Sequence, residues 1–426
     1  MNQADPAFPR TFLADLFHTA VKAADPATVL AQHIPPRPAG RTVVVGAGKG
    51  AAQLAAAFEE LWDGPLEGVI VTRYGYACET RQIDVLEAAH PVPDEAGLHA
   101  SERLLSAVQG LTKDDLVVAL VCGGGSALLP APAEGLTLAD EIAVNEELLA
   151  SGAPIGDMNA VRKHVSRIKG GRLAAAAHPA RVISLIVSDI PGDNPALVAS
   201  GPTVPDEATR HDALDIAQRY EMKLPDAVWS HLGSDKAAAR TPADPVFLDH
   251  EVKVIASARL SLEAAARHAE AAGIKAHILS DAIEGEARDI GRMHGAIARE
   301  VALNGRPFKP PVVLLSGGET TVTVRAKGRG GRNGELALAL AKDLQGLGRR
   351  VTALAADTDG IDGTEDNAGA YVDGDTWGRL IDMNVDPAGL LAANDSWGAF
   401  DSLGDLFVTG PTGTNVNDFR AILITA

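Results

Sequence analysis

The chain has 426 residues, 46% hydrophobic and 4% aromatic, with a net charge of −18 from 38 Lys and Arg against 56 Asp and Glu. This length exceeds the roughly 250–300 residues at which one core tends to divide, so two domains are expected, and the Ala- and aliphatic-rich composition suits helices packed on sheets, an α/β class. The acidic balance argues against nucleic acid or an anionic membrane as partner, and two cysteines exclude a disulfide framework or a Cys-based zinc site.

At the N-terminus, Asp5 and Pro6 precede Arg10 with no basic region leading into an apolar run, and no stretch approaches the ~18 apolar residues of a membrane span. A cytoplasmic protein is expected. Residues 11–32 carry helical spacing (Phe12, Leu13, Leu16, Phe17, Ala20, Val21) that the Pro35-Pro36-Arg37-Pro38 stretch ends. The strand Thr42–Val45 then runs into Gly46-Ala47-Gly48-Lys49-Gly50-Ala51 and an Ala-rich helix. That pattern fits a dinucleotide fingerprint, another phosphate site or a plain tight turn; Gly46, Gly48 and Gly50 are candidate phosphate-binding residues, and Lys49 adds a cation that the fingerprint does not require. His90-Pro91-Val92-Pro93-Asp94 reads as a rigid connector.

The apolar run Leu116–Val121 leads into Cys122-Gly123-Gly124-Gly125-Ser126. Successive glycines there form either a tight crossover or a nest of N–H groups for a carboxylate or phosphate, so Gly123, Gly124, Gly125 and Ser126 are substrate-binding candidates. From Met158 to Arg172 lies the densest positive segment, read as a basic helix stopped by Gly170-Gly171. It is either a solvated cationic face or the place where an anionic substrate meets Arg162 and Lys169. The strand Val182–Ser188 delivers Asp189 to a carboxyl-end loop, where a general base, a metal ligand or an Asp turn belongs.

A boundary is expected near Thr241-Pro242-Ala243-Asp244-Pro245, dividing the chain into 1–245 and 246–426, with the strand Val252–Ala256 opening the second domain. There Ser316-Gly317-Gly318-Glu319 and Gly331-Arg332-Asn333-Gly334 supply backbone N–H groups, a planar guanidinium fork and Asn333 for nucleotide phosphates. Asp357 and Asp359 alternate at the end of a strand and suit a shared Mg²⁺. Phosphoryl transfer needs that combination.

Taken in order, these motifs, closed by Thr412-Gly413-Thr414-Asn415, resemble the glycerate 2-kinase family, whose C-terminal half is the MOFRL domain. The resemblance spans nearly the whole chain. It implies an N-terminal Rossmann-like parallel-sheet domain, a C-terminal MOFRL-type mixed-sheet domain and an active site in the cleft between them. It further implies ATP and Mg²⁺ as cofactors, D-glycerate as substrate, 2-phosphoglycerate as product, and catalytic roles for Lys49 and Arg332. Asp189 is then the residue expected to orient or deprotonate the glycerate hydroxyl. The competing readings are an NADP-dependent hydroxypyruvate reductase, which uses the Gly46–Ala51 turn and Arg73, and a non-enzymatic binder of phosphorylated metabolites. A homo-oligomer is compatible with the sequence, which does not specify one.

Overall fold

The computed structural model describes residues 7–425; Asp5 and Pro6, used above to read the N-terminus, lie outside the described residues. The chain divides into two compact units, Pro26–Ile255 and a second comprising Ala256–Ala426 with the segment up to Asp25. Among the described residues no helix is long and apolar enough to cross a membrane.

The front unit is built on β1 (Thr42–Ala47), β2 (Glu67–Arg73), β3 (Ile83–Ala88), β4 (Leu116–Cys122), β5 (Arg181–Val187) and β6 (Glu251–Ala256). They lie in the order β3-β2-β1-β4-β5-β6, the first five strands parallel. β1 and β4 are buried along their whole length, as expected where helices cover both faces of a parallel sheet. The strand order reverses between β1 and β4, so the loops that follow them splay apart at their carboxyl ends. Ligands of open α/β sheets bind at such a switch point.

In the rear unit β7 (Lys275–Ser280), β8 (Gly285–Glu286), β9 (Val312–Gly318), β10 (Thr320–Thr321), β11 (Val351–Asp357), β12 (Gly369–Asp373), β13 (Leu406–Phe407) and β14 (Asp418–Ile424) form two sheets. The larger has the order β13-β12-β11-β14-β9-β7 and is mixed, parallel at β7–β9 and antiparallel elsewhere; β10 and β8 pair separately. Successive residues of β9 serve opposite faces. Val312 and Leu314 pack with the helix Arg332–Leu344, whereas Val313 and Leu315 join Phe12, Leu13, Leu16 and Phe17 of the helix Phe8–Lys22.

Two sequence expectations change here. The helix expected over 11–32 is broken into Phe8–Lys22 and Pro26–Leu30, because Pro26 lacks an N–H and disfavours helical backbone at Asp25. The first piece packs on the rear sheet, where the Phe17 ring meets Phe407 and Phe419 edge-on at 5.0 and 5.8 Å. At the other boundary, β6 does not open the rear domain. It is the sixth strand of the front sheet, beside β5, with Arg181 of β5 bonded to Glu251.

Candidate active site

Three front-unit loops meet at the switch point. After β1, Gly48 takes φ 133°, and an added Cβ would collide with the Cys122 carbonyl, so only glycine fits this turn. Its neighbours are held by backbone bonds: Gly48 N–H donates to Val71 O (3.1 Å), Lys49 N–H to Gly123 O (2.9 Å), and Gly50 N–H to Cys122 Sγ (3.2 Å). The expectation that Gly48 and Gly50 offer these N–H groups to phosphate is therefore not met. Gly46 lies within β1, where an added Cβ would collide with Leu120 O. What the turn presents is the Lys49 side chain, half-buried, whose ammonium makes no hydrogen bond or ion pair among the described residues.

The Lys49 stem runs over Gly124: a Cβ there would stand 3.0 Å from Lys49 Cγ and 3.3 Å from His90 Nε2. His90 is thus a member of the site, although its motif reads as a connector in sequence. Burial first, then the charges of Lys49 and Arg73, push its pKa down to about 4, so the imidazole is neutral at pH 7. One residue earlier, a Cβ on Gly123 would collide with the Asp189 carboxylate, which follows β5. Both charges are felt by Cys122 beneath them, whose thiol is raised to about 12 by burial and by Asp189, against an opposing effect of Lys49. Lys49, His90 and Asp189 therefore gather over the Gly123–Gly124 turn.

Gly124, Gly125 and Ser126 bond their N–H groups to no backbone acceptor among the described residues, which leaves the anion nest open. The Ser126 hydroxyl lies 2.8 Å from Ser200 Oγ, which donates to Asn159 Oδ1 at 2.9 Å. Ala199 and Ser200 hold positive φ of 51° and 60°, a strain that the surrounding packing must over-determine. Sequence reading missed Ser200 and Asn159; no local pattern marks a serine brought to Ser126 from 74 positions away.

The basic segment is divided among different tasks. Its helix ends at His164, before the glycines. Lys163 pairs with Asp206, and Lys169 is buried, donating to Leu129 O (2.7 Å) and Glu141 Oε1 (2.6 Å). Lys169 is therefore a structural cation rather than a substrate ligand. Arg162 donates to Asn145 Oδ1 (2.8 Å) and to Asn159 Oδ1 (3.3 Å), and it lines a small cavity with Ser126 and Pro93.

In the rear unit Arg332 opens the helix Arg332–Leu344 and is gripped by three carboxylates at 2.7 Å each: Nε donates to Asp418, Nη1 to Glu319, Nη2 to Asp357. Those bonds raise its pKa further. Asp418, to which the sequence reading assigns no role, also accepts from Arg420, Asn333 Nδ2 (2.8 Å) and Thr320 N (3.1 Å). These cations and donors lower its pKa although burial opposes them, whereas burial, Asp359 and Asp418 raise that of Asp357. The N–H groups of Asn333 and Gly334 are capped by Asp362 at 2.9 and 2.7 Å.

The helix start thus holds a carboxylate already, and fully buried Asn333 is not available to phosphate. Likewise Ser316 bonds His294 Nε2 at 2.8 Å, and Gly317 O accepts from Arg420 at 3.1 Å. Ser316, Gly317 and Gly318 form the end of β9 rather than a free loop. Glu319 is the exposed member, at 50%.

Both Asp357 carboxylate oxygens are engaged, Oδ1 by the Asp359 N–H (3.1 Å) and Oδ2 by Arg332. Asp359 is half-buried, and its Oδ2 has a single 3.4 Å contact, to Asn415. Among the described residues no group of three or more His, Cys, Asp and Glu is arranged to hold a metal. These residues fit a cation that arrives with nucleotide phosphates and takes one or two carboxylates, rather than one caged by protein alone.

The chain is similar to known proteins over most of its length. The family described as Domain of unknown function (DUF4147) matches residues 12–233, and the MOFRL family matches residues 312–418. A protein of Agrobacterium vitis named "Putative hydroxypyruvate reductase" is 51% identical, the alignment covering 97% of this chain and 94% of that one. The glycerate 2-kinase of Pyrococcus horikoshii is 42% identical over 91% of this chain and 88% of its own. The crystal structure of glycerate kinase from Thermotoga maritima superposes with a TM-score of 0.89 at 36% identity, covering 99% of this chain and 100% of that one. With such coverage in sequence and fold, the chain belongs to the glycerate 2-kinase family of MOFRL-containing proteins.

Proposed function

We propose that this family member is a kinase that phosphorylates the 2-hydroxyl of D-glycerate with ATP, giving 2-phosphoglycerate. The observation that carries the reading is the meeting of an unpartnered ammonium (Lys49), a neutral imidazole (His90) and a carboxylate (Asp189) over the Gly123–Gly124 turn. Glycerate bears a carboxylate for the open Gly124–Ser126 nest and a hydroxyl for Asp189 to orient or deprotonate. Lys49 stabilises charge on the transferring phosphoryl, and Arg332 keeps two N–H groups, not used in its ion pairs, for phosphate oxygens. Mg²⁺, when bound, neutralises phosphate charge. Asp359, with Asp357 beside it, is the residue to hold it, and four carboxylates (Glu319, Asp357, Asp359, Asp418) against two guanidinia (Arg332, Arg420) make this surface suited to a divalent cation.

The reductase reading draws on the name of the Agrobacterium relative and on the Gly46–Ala51 pattern. Against it, three consecutive N–H groups of that turn are consumed within the fold, whereas a dinucleotide pyrophosphate needs backbone donors there. Incubation with D-glycerate, ATP and Mg²⁺, followed by identification of the phosphorylated isomer, tests the proposal. ADP with 2-phosphoglycerate is expected, and hydroxypyruvate with NADPH should leave the absorbance unchanged. Absence of ADP, or steady NADPH oxidation, overturns it. Lys49→Ala should lower turnover by roughly a thousandfold with folding unaffected, since its ammonium bonds nothing among the described residues.

A further inference from the structure

The part of the basic segment that the candidate site does not use lines a second cavity. Arg167 and Arg172 meet Arg240 around a space of about 600 Å³, whose walls include Ala175, Ala176, Ala238 and Thr241. Pockets of this size accept small metabolites. The helix Arg172–Ala176 leads into the start of β5, so its last residues, Ala175 and Ala176, stand towards the amino end of that strand. Lys49, Gly123 and Asp189 follow the carboxyl ends of β1, β4 and β5, at the other edge of the sheet.

The arginines are differently held. Arg172 is fixed: Nη1 donates to Lys163 O (2.8 Å) and Lys169 O (3.1 Å), and Nη2 to Ala238 O (3.0 Å). Burial, and then the nearby charge of Arg240, push its pKa down to about 10, a sign that two cations face each other with too little counter-charge. Arg167 uses Nε on Pro132 O (2.9 Å), leaving both terminal nitrogens without a partner among the described residues. Arg240 donates from Nη1 to Asp244 Oδ2 at 2.6 Å, and its Nη2 is unused. Asp244 is the one acidic residue among those lining the cavity, so three guanidinia face one carboxylate in a protein whose net charge is −18.

We infer that this cavity binds a small phosphate-bearing anion away from the candidate active site. Guanidinium forks match phosphate oxygens bidentately, the space exceeds what one inorganic ion fills, and the alanine walls accept a short carbon skeleton. The inference does not depend on the kinase reading, because none of its three arginines is assigned to phosphoryl transfer.

Calorimetric titration of the full chain with inorganic pyrophosphate, at ionic strength matched with chloride, tests it. Lys49→Ala should bind pyrophosphate as the wild type does, and the Arg167→Ala/Arg240→Ala double variant should bind roughly tenfold more weakly or worse. Both replaced side chains are exposed, and circular dichroism verifies the variant's fold; Arg240→Glu alone reverses one charge, with the same expected loss. Equal affinity in the double variant, loss of binding in Lys49→Ala, or no binding to the wild type overturns the proposal. Failure to detect kinase activity would leave the pyrophosphate result intact, so the two readings fail separately.

Discussion

Arg332 shows how a residue singled out for its chemistry can be misjudged in its independence. Read from sequence, Arg332 is a phosphate ligand in a glycine-rich loop. With Asp418 0% and Asp357 7% exposed at their side chains, Arg332→Ala strips a cation from two buried carboxylates. A loss of about 3 kcal/mol in urea unfolding is expected with the loss of activity. Arg332→Lys should retain part of the stability while remaining a poor catalyst, because an ammonium cannot span three separate carboxylates. His90 makes a different test. Since Lys49 is one of the causes holding its pKa near 4, Lys49→Met should move the NMR titration midpoint upward, though not to the ordinary 6.5, because burial is the larger cause and persists. An unchanged midpoint would separate the two side chains and weaken the active-site constellation.

At the level of elements, the segment 158–172 illustrates why charge in sequence is a poor guide to solvent exposure. Lys169 is 2% exposed in its side chain and paired with Glu141, itself 7% exposed, so the pair ties the loop after Gly125–Leu128 to the helix Leu138–Ala150. Glu141→Gln keeps an acceptor for the Ala131 N–H, now bonded at 2.9 Å, and removes only the counter-charge. Burial already lowers the Lys169 pKa, and Glu141 is what opposes that effect. The variant should be destabilised by about 3 kcal/mol, measured by denaturant midpoint, and should depress the Lys169 pKa further. Asp362 plays the corresponding part in the rear unit, capping the helix that begins with Arg332.

For the molecule as a whole, buried histidines set the acid side of stability. His90, His250 and His294 all have pKa values pushed down to about 4, each chiefly by burial, from an ordinary 6.5. Between pH 4 and 6.5 the unfolded chain binds more protons at these positions than the native one. Their contribution is therefore fully present above pH 6.5 and is lost as pH falls through that window. Asp362 works in the opposite direction: burial raises it from 3.8 to about 6, so its effect favours the native state at low pH and is lost as pH rises towards 6. Asp357, which burial also raises, adds to Asp362, and three histidines against these two carboxyls predict a net fall. His294, the most buried of the three, contributes about 3 kcal/mol between pH 7 and pH 4. Chemical denaturation of His294→Gln should show lower stability at pH 7 and a flatter dependence below pH 6.5 than the wild type; an equal slope would refute the assignment.

Much of the fold was legible because β1, β4 and β5 are strongly apolar runs, broken in β5 only by Ser184, each leading directly into a polar loop, as suits strands buried on both faces. Lys49, Gly123 and Asp189 could be singled out for the same reason: they stand at the ends of those runs. β3 was not recognised, since its middle residues are partly exposed and alternate weakly. The partner of the helix Phe8–Lys22, the sheet that takes β6, and the burial of Lys169 rest on contacts between distant segments and leave no local pattern. The Arg332 cluster has the same origin. Pairing of β11 with β14 sets Asp357 opposite Asp418, and a guanidinium must reach both. Sequence alone determined which residue types stand at the strand ends, because composition and position along the chain are local properties. The tertiary structure alone decided which of them are free to act, because a charge is spent or spared by whatever the fold brings against it.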